Sequence, residues 1–303
     1  MGGSFPGALC LSSNSRLSAG NASWAKANHF HHRVYGSAAA YSTLSGDGCS
    51  SGASPTLPLS LIIFDKDGTL IDVNSVWLKW MERYVVELEE QTGLKLADKL
   101  YRAVGYCRTN KEYQDDGLLA HATIAEITDK FKEVLVEAGI DEDEAHDLVD
   151  TCCQDFDTGH TDMLEPLGNL PKIFQTLKSR GIKTAVCTAD SRSGTMSALG
   201  RLGITNMVDK VVCGDDHNST PKPAPDNALH ICNVLNVPPN QTAVIGDTIA
   251  DTGMGRSAGL GMTIGVLSGA GSRRGLERDA DVILGSVDEI LGYVLPDNKN
   301  NPN

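Results

Sequence analysis

Six side chains able to do chemistry follow apolar runs in this chain. Asp65 and Asp67 close the run 57–64, and Thr188 follows Val186-Cys187. Lys222 lies in the loop after Val212-Cys213, and Asp247 and Asp251 follow the run ending at Ile245. Two carboxylates spaced i and i+2 can approach one point where the chain turns, and Gly68 permits that turn. Asp247 adds a third negative group. Unpaired, such oxygens repel one another and raise their own pKa values. A hard divalent cation relieves the repulsion, and oxygen-only ligands at a phosphate-handling site favour Mg²⁺ over zinc. The eight histidines show no metal-ligand spacing to argue otherwise. A carboxylate-held metal beside a lysine and a hydroxyl suits phosphoryl transfer. The cation and Lys222 would neutralise the equatorial oxygens, and Thr188 would hydrogen-bond one of them. An aspartate can then act as nucleophile, forming an acyl phosphate that water hydrolyses. A second acid would protonate the leaving oxygen and later activate the water.

Residues this far apart in sequence need a scaffold that brings them to one edge. Strand-like runs occur at 57–64, 183–187, 208–213, 242–245, 261–266 and 281–284, with helical stretches at 170–179, 224–235 and 286–291 between them. Alternation of this kind predicts an α/β fold, a doubly wound, Rossmann-like and mostly parallel sheet with helices on both faces. Ligands of such sheets bind beyond the carboxyl ends of the strands, which is where all six residues fall. From about 75 to 157 the rhythm differs. Trp77, Trp80, Met81, Tyr84 and Leu88 recur at helical spacing, as do Ile124, Ile127, Phe131, Val134 and Leu135. Residues 76–162 also hold 21 acids against 9 bases. The pattern predicts an inserted all-helical unit over 75–162 with a solvated acidic face, and an α/β core over 57–74 and 163–295.

Composition narrows the function. The chain has 303 residues and a formal net charge of −13, with 41% hydrophobic and 21% charged residues. The acidic balance argues against a nucleic-acid partner. No apolar run reaches the roughly 18–20 residues of a membrane-spanning helix. None of the eight cysteines forms a C-x-x-C pair, and Cys187 and Cys213 sit in apolar runs, so the thiols are expected to be reduced. Residues 1–46 contain no acid, many serines, and Arg16, Lys26 and Arg33. That is the composition of a transit peptide, with a disordered tail as the alternative. A mitochondrial location is the resulting expectation, and a cytoplasmic one follows if the tail is not a targeting signal. A homodimer stays open.

The segment Phe64-Asp65-Lys66-Asp67-Gly68-Thr69-Leu70 resembles the first motif of the haloacid dehalogenase-like hydrolase superfamily. Thr188 matches its second motif, Lys222 in Pro221-Lys222-Pro223 its third, and Gly246-Asp247-Thr248-Ile249-Ala250-Asp251 its fourth. The resemblance spans about residues 58–292; the first and fourth motifs are specific, the others informative by order. It implies Asp65 as nucleophile and metal ligand, and Asp67 as general acid/base with its backbone carbonyl on Mg²⁺. It further implies Asp247 as a metal ligand, Asp251 as a supporting residue that holds a metal-bound water or orients Lys222, and Thr188 and Lys222 on the substrate phosphate. The insertion is similar to the family's cap, which closes over the site. Its helical character and the run Pro-Lys-Pro-Ala-Pro-Asp at 221–226 resemble the phosphoglycolate phosphatase branch. Dehalogenases lack the second aspartate, which is present here.

These features imply an Mg²⁺-dependent phosphatase acting on a small phosphorylated metabolite. A phosphosugar mutase of the same superfamily and a non-catalytic partner-binding protein are the alternatives. Several residues have plainer readings. Thr188 or Asp251 could be a helix cap. Arg192 reads as a surface arginine, the segment 110–123 as an ordinary cap loop, and Trp77 and Trp80 as cap core. Lys66 departs from the family pattern, where an apolar residue is commoner. It either adds positive charge near the nucleophile or points away.

Overall fold

The computed structural model describes residues 58–153 and 164–295. The tail expected at 1–46 and the last part of the expected insertion, 154–163, lie outside the described residues.

The core is built around β1 (Leu61–Phe64), whose four apolar residues are all fully buried. An unbroken apolar run is what a strand covered on both faces requires. Ile62 and Phe64 pack on one side with Leu170, Ile173 and Phe174 of α6 (Leu170–Ser179). Leu61 and Ile63 pack on the other with Ala228 and Ile231 of α8 (Asp226–Leu235) and Met254 of α9 (Ile249–Ser257). The other strands are β4 (Lys183–Cys187), β5 (Lys210–Val212), β6 (Thr242–Gly246), β7 (Met262–Val266) and β8 (Val282–Leu284). They form a six-stranded sheet in the order β5-β4-β1-β6-β7-β8, and every neighbouring pair is parallel. The expected α/β doubly wound sheet is therefore present, with all six strands at the expected places.

Register sets the level of the site. Phe64 pairs with Val186 on β4 and with Ile245 on β6. Asp65, Thr188 and Asp247 thus leave their strands at nearly the same height. β1 is also the switch point of the strand order, with β4 and β5 on one side and β6 to β8 on the other. The crevice of an open α/β sheet forms at such a switch, beyond the carboxyl ends.

The insertion leaves the core through a π-helical turn, Asn74–Leu78, that runs into α1 (Lys79–Thr92). Further helices are α2 (Ala97–Ala103), α3 (Leu118–His121), α4 (Ile124–Glu137) and α5 (Glu142–Cys153). Trp80, Tyr84 and Phe131 form its aromatic centre, with ring centroids 5.1 to 6.2 Å apart. The Tyr84 hydroxyl donates to the Val149 carbonyl of α5 at 2.6 Å. A capping box of Thr123 and Glu126 starts α4. One element was not foreseen. A two-stranded antiparallel ribbon pairs β2 (Tyr106–Cys107) with β3 (Glu112–Tyr113), so the insertion is helical but not wholly so. Two residues per strand are too few to show a two-residue period. The ribbon is pinned instead by Tyr101, Tyr106 and Tyr113, whose rings contact in sequence at 5.7 and 5.0 Å. Among the described residues, no helix is long and apolar enough to cross a membrane.

Candidate active site

The loop after β1 is wound tightly around one carbonyl. The Asp65 N–H continues the ladder by donating to Ile245 O at 2.9 Å, and the N–H groups of Leu70 and Ile71 both donate to Lys66 O at 2.8 and 3.1 Å. The turn requires φ +84° at Gly68, a conformation that side chains disfavour. A Cβ there would also collide with the Asp247 carboxylate. The glycine is thus what lets the first and fourth loops close on each other.

Lys222 joins the acids. Its Nζ donates to Asp65 Oδ1 at 2.7 Å, to Asp251 Oδ1 at 2.6 Å and to the Cys187 carbonyl at 3.3 Å. The two prolines beside it restrict the backbone that presents it. Asp251 has two attachments. One oxygen holds Lys222, and the other accepts from the Thr248 hydroxyl at 2.6 Å in the capping box that starts α9. The two readings of Asp251, helix cap and Lys222 orienter, are the same geometry. Asp247 Oδ2 accepts the Ala270 N–H at 2.7 Å, and its Oδ1 accepts from Thr69 Oγ1 at 3.4 Å. Thr188 is not a helix cap, because Ser191 caps α7 (Arg192–Arg201). Its Oγ1 accepts the Asp190 N–H at 3.1 Å, which leaves the hydroxyl proton to donate.

Burial and charge decide the proton affinities. Burial first, then the Asp251 charge, pushes the Asp65 carboxyl up to about 7, against the opposing pull of Lys222. Burial, then the charges of Asp65 and Asp251, holds Asp247 well above the carboxylate range. Burial acts to lower the Lys222 ammonium, but the charges of Asp251 and Asp65 outweigh it and raise it well above its ordinary value. Burial raises Asp67, offset in part by Lys66 and by a hydrogen bond from Trp77. Cys187, below the site, is pushed up to about 12 by burial and so behaves as a small apolar residue.

Asp65, Asp247 and Asp251 can each present an oxygen within 4.8 Å of the others, and all three are buried. One ammonium against three carboxylates leaves the cluster short of positive charge. A hard divalent cation would supply that charge, and an all-oxygen donor set fits Mg²⁺. The Asp67 carboxylate is not part of this cluster.

A cavity of about 30 Å³ lies over these groups. Asp65, Asp67, Thr188, Lys222 and Asp251 line it from the core, and Trp77, Leu119, Ala120, His121, Ala122 and Ile127 from the insertion. Three expectations change here. The segment 110–123 is not an ordinary loop, since its last residues roof the cavity and the buried His121 Nδ1 has no hydrogen-bond partner among the described residues. Trp77 belongs to the cap core, and it also faces the cavity. Lys66 does not point away: fully buried, it pairs with Asp67 at 2.8 Å and Asp190 at 3.0 Å. Asp190 and His121 were missed as site residues. The Thr-Ala-Asp spacing after β4 was a usable signal for Asp190; a lone histidine in a loop gave none. Arg192 is the surface residue expected, half-exposed and paired with Asp216.

The fold and this edge define a class, doubly wound α/β proteins with carboxylate-lined strand ends. A model of the haloacid dehalogenase-like hydrolase family matches residues 59–259. The chain belongs to that family. It is 23% identical over 239 residues to pyrophosphatase PpaX of Halalkalibacterium halodurans, covering 78% of this chain and 98% of that protein. It is 27% identical over 203 residues to phosphoglycolate phosphatase of Aquifex aeolicus, covering 66% of this chain and 82% of that protein. A crystal structure described as a predicted phosphoglycolate phosphatase from Haemophilus somnus superimposes with a TM-score of 0.63 at 18% identity. That match covers 78% of this chain and 97% of the other, and at this identity it speaks to the fold alone.

Proposed function

We propose that this chain is an Mg²⁺-dependent phosphatase that hydrolyses a small phosphorylated metabolite, of the phosphoglycolate type, through a phosphoaspartate on Asp65. The observation that carries the reading is the junction of three loops at Lys222, whose ammonium bridges Asp65 and Asp251 beside Asp247. Names borne by two relatives, a phosphoglycolate phosphatase and a pyrophosphatase, support the substrate class.

In the first step a carboxylate oxygen of Asp65 attacks phosphorus. The ester P–O bond breaks, and the departing alkoxide takes the proton of Asp67. In the second step water gives a proton to Asp67 and attacks the acyl phosphate, releasing inorganic phosphate and the free Asp65 carboxylate. Lys222 and the Thr188 hydroxyl hold the phosphoryl oxygens through both steps. Asp65, Asp247 and the Asp67 carbonyl would hold Mg²⁺, which supplies positive charge for the phosphoryl group. The insertion roofs the cavity, and its movement would admit the organic part of a substrate and then exclude water.

The test is phosphate release with Mg²⁺ across phosphoglycolate, sugar phosphates, pyrophosphate and nucleoside monophosphates. Turnover of one ester, abolished by chelation and by Asp65→Asn, is the expected result. A folded protein that releases phosphate from none of them refutes the reading. Turnover only with a bisphosphate activator would assign a mutase instead.

A further inference from the structure

Lys66 has no exposed surface, and it sits between the two aspartates of the first loop. Burying an ion pair carries a desolvation cost that an apolar residue of similar volume avoids. Here the ammonium meets two carboxylates, Asp67 Oδ1 at 2.8 Å and Asp190 Oδ2 at 3.0 Å. The Asp190 side chain is itself fully buried, and its other oxygen accepts the Ser191 N–H at 2.7 Å. Its own N–H donates to Thr188 Oγ1. Asp190 is thus fixed to the loop that carries Thr188, and Lys66 reaches from that loop to Asp67.

The consequence falls on Asp67. Its Oδ1 is anchored from behind, while its side chain keeps 16% exposure and lines the cavity. Lys66 does not line the cavity, so it acts on Asp67 and not on substrate. We propose that the Lys66–Asp190 pair is a positioning device that aims the second oxygen of Asp67 at the leaving-group oxygen. This rests on the reading of Asp67 as general acid. Proton transfer to a departing oxygen needs hydrogen-bond reach and alignment, and small misplacements cost rate. The requirement scales with the basicity of the leaving group. An alkoxide must receive a proton as the P–O bond breaks; p-nitrophenolate departs without one.

That difference separates a positioning role from a packing role. The measurement is kcat/KM with Mg²⁺ for p-nitrophenyl phosphate and for the alkyl phosphate that the wild type turns over best. This ratio of constants stops at departure of the alcohol, so hydrolysis of the acyl phosphate does not enter. The full chain is compared with Lys66→Met, Lys66→Arg, Asp67→Asn and the double variant Lys66→Met/Asp190→Asn. In Lys66→Met the preference for the p-nitrophenyl ester should rise by about tenfold or more, a fraction of what a general acid contributes. Lys66→Arg should recover most of the wild-type preference. The double variant removes the fully buried Asp190 charge together with Lys66 and leaves Asp67 at the cavity, so it reports even if the single variant does not fold, and it should keep the raised preference. Equal loss on both esters, in the single or the double variant, overturns the proposal. If Asp67→Asn also leaves the preference unchanged, Asp67 is not the general acid and the underlying reading falls too. If Asp67→Asn raises it and Lys66→Met does not, only the positioning role fails.

Discussion

The carboxyl edge of the sheet and the helical insertion handle charge in opposite ways. At the sheet edge, charged groups are buried and matched one to another: Lys222 with Asp65 and Asp251, Lys66 with Asp67 and Asp190. In the insertion the interior is aromatic, around Trp80, Tyr84 and Phe131, and acids such as Glu142, Asp143 and Glu144 face solvent. The first arrangement stores unfavourable like-charge contact on rigid strand ends, where a cation and a phosphoryl group can relieve it. The second makes a stable body with little chemistry of its own. Its described share of the cavity is apolar apart from Trp77 and His121. The titratable groups therefore gather at the strand ends, and the insertion lies over them.

The largest expected effect is that of Asp65→Asn, which should remove phosphate release without lowering the unfolding midpoint. Burial already disfavours the charged carboxylate at this site, and Lys222 keeps Asp251 as a partner. Severe unfolding of this variant would break the division between the two regions. Phe131→Ala should do the converse. It truncates a fully buried ring in contact with Trp80 and Tyr84, and should cost about 3–5 kcal/mol in denaturant unfolding. A loss below about 1 kcal/mol would mean that the insertion core collapses to fill the space.

A smaller effect concerns pH. The Asp65 carboxyl rises from 3.8 in its ordinary state to about 7 in the fold. The native state then binds more protons than the unfolded state between those values. Its contribution to stability is complete below about pH 4 and is lost as pH rises through about 7. Metal-free protein should lose thermal stability across this window, Mg²⁺ should restore more of it at the alkaline end, and Asp65→Asn should flatten the slope. A slope of the same size in Asp65→Asn would assign the effect to other groups.

The same contrast explains what could be read from the residues alone. Asp65, Thr188 and Asp247 were legible because each closely follows an apolar run, and a parallel sheet brings run ends to one level; Lys222 was legible from its loop after such a run and its two flanking prolines. Asp251 was legible as a cap and as a lysine partner, and it is both. The roof of the cavity was not legible. Leu119 to Ala122 lie in and just after a one-turn helix, too short for a helical period to show, and their approach to the site depends on how the insertion packs. The ribbon at Tyr106 and Tyr113 escaped for the same reason of length. Lys66 was seen as unusual, but its direction depends on a partner, Asp190, far along the chain.

The central claim is that Asp65 carries the phosphoryl group. The direct measurement is acid quench of the enzyme during turnover with Mg²⁺, followed by borohydride reduction and peptide mass spectrometry. The account predicts reduction of Asp65 to homoserine in proportion to substrate, absent in Asp65→Asn and absent without metal. Turnover with an unmodified Asp65 peptide, or with the modification on Asp67 or Asp247, would contradict it.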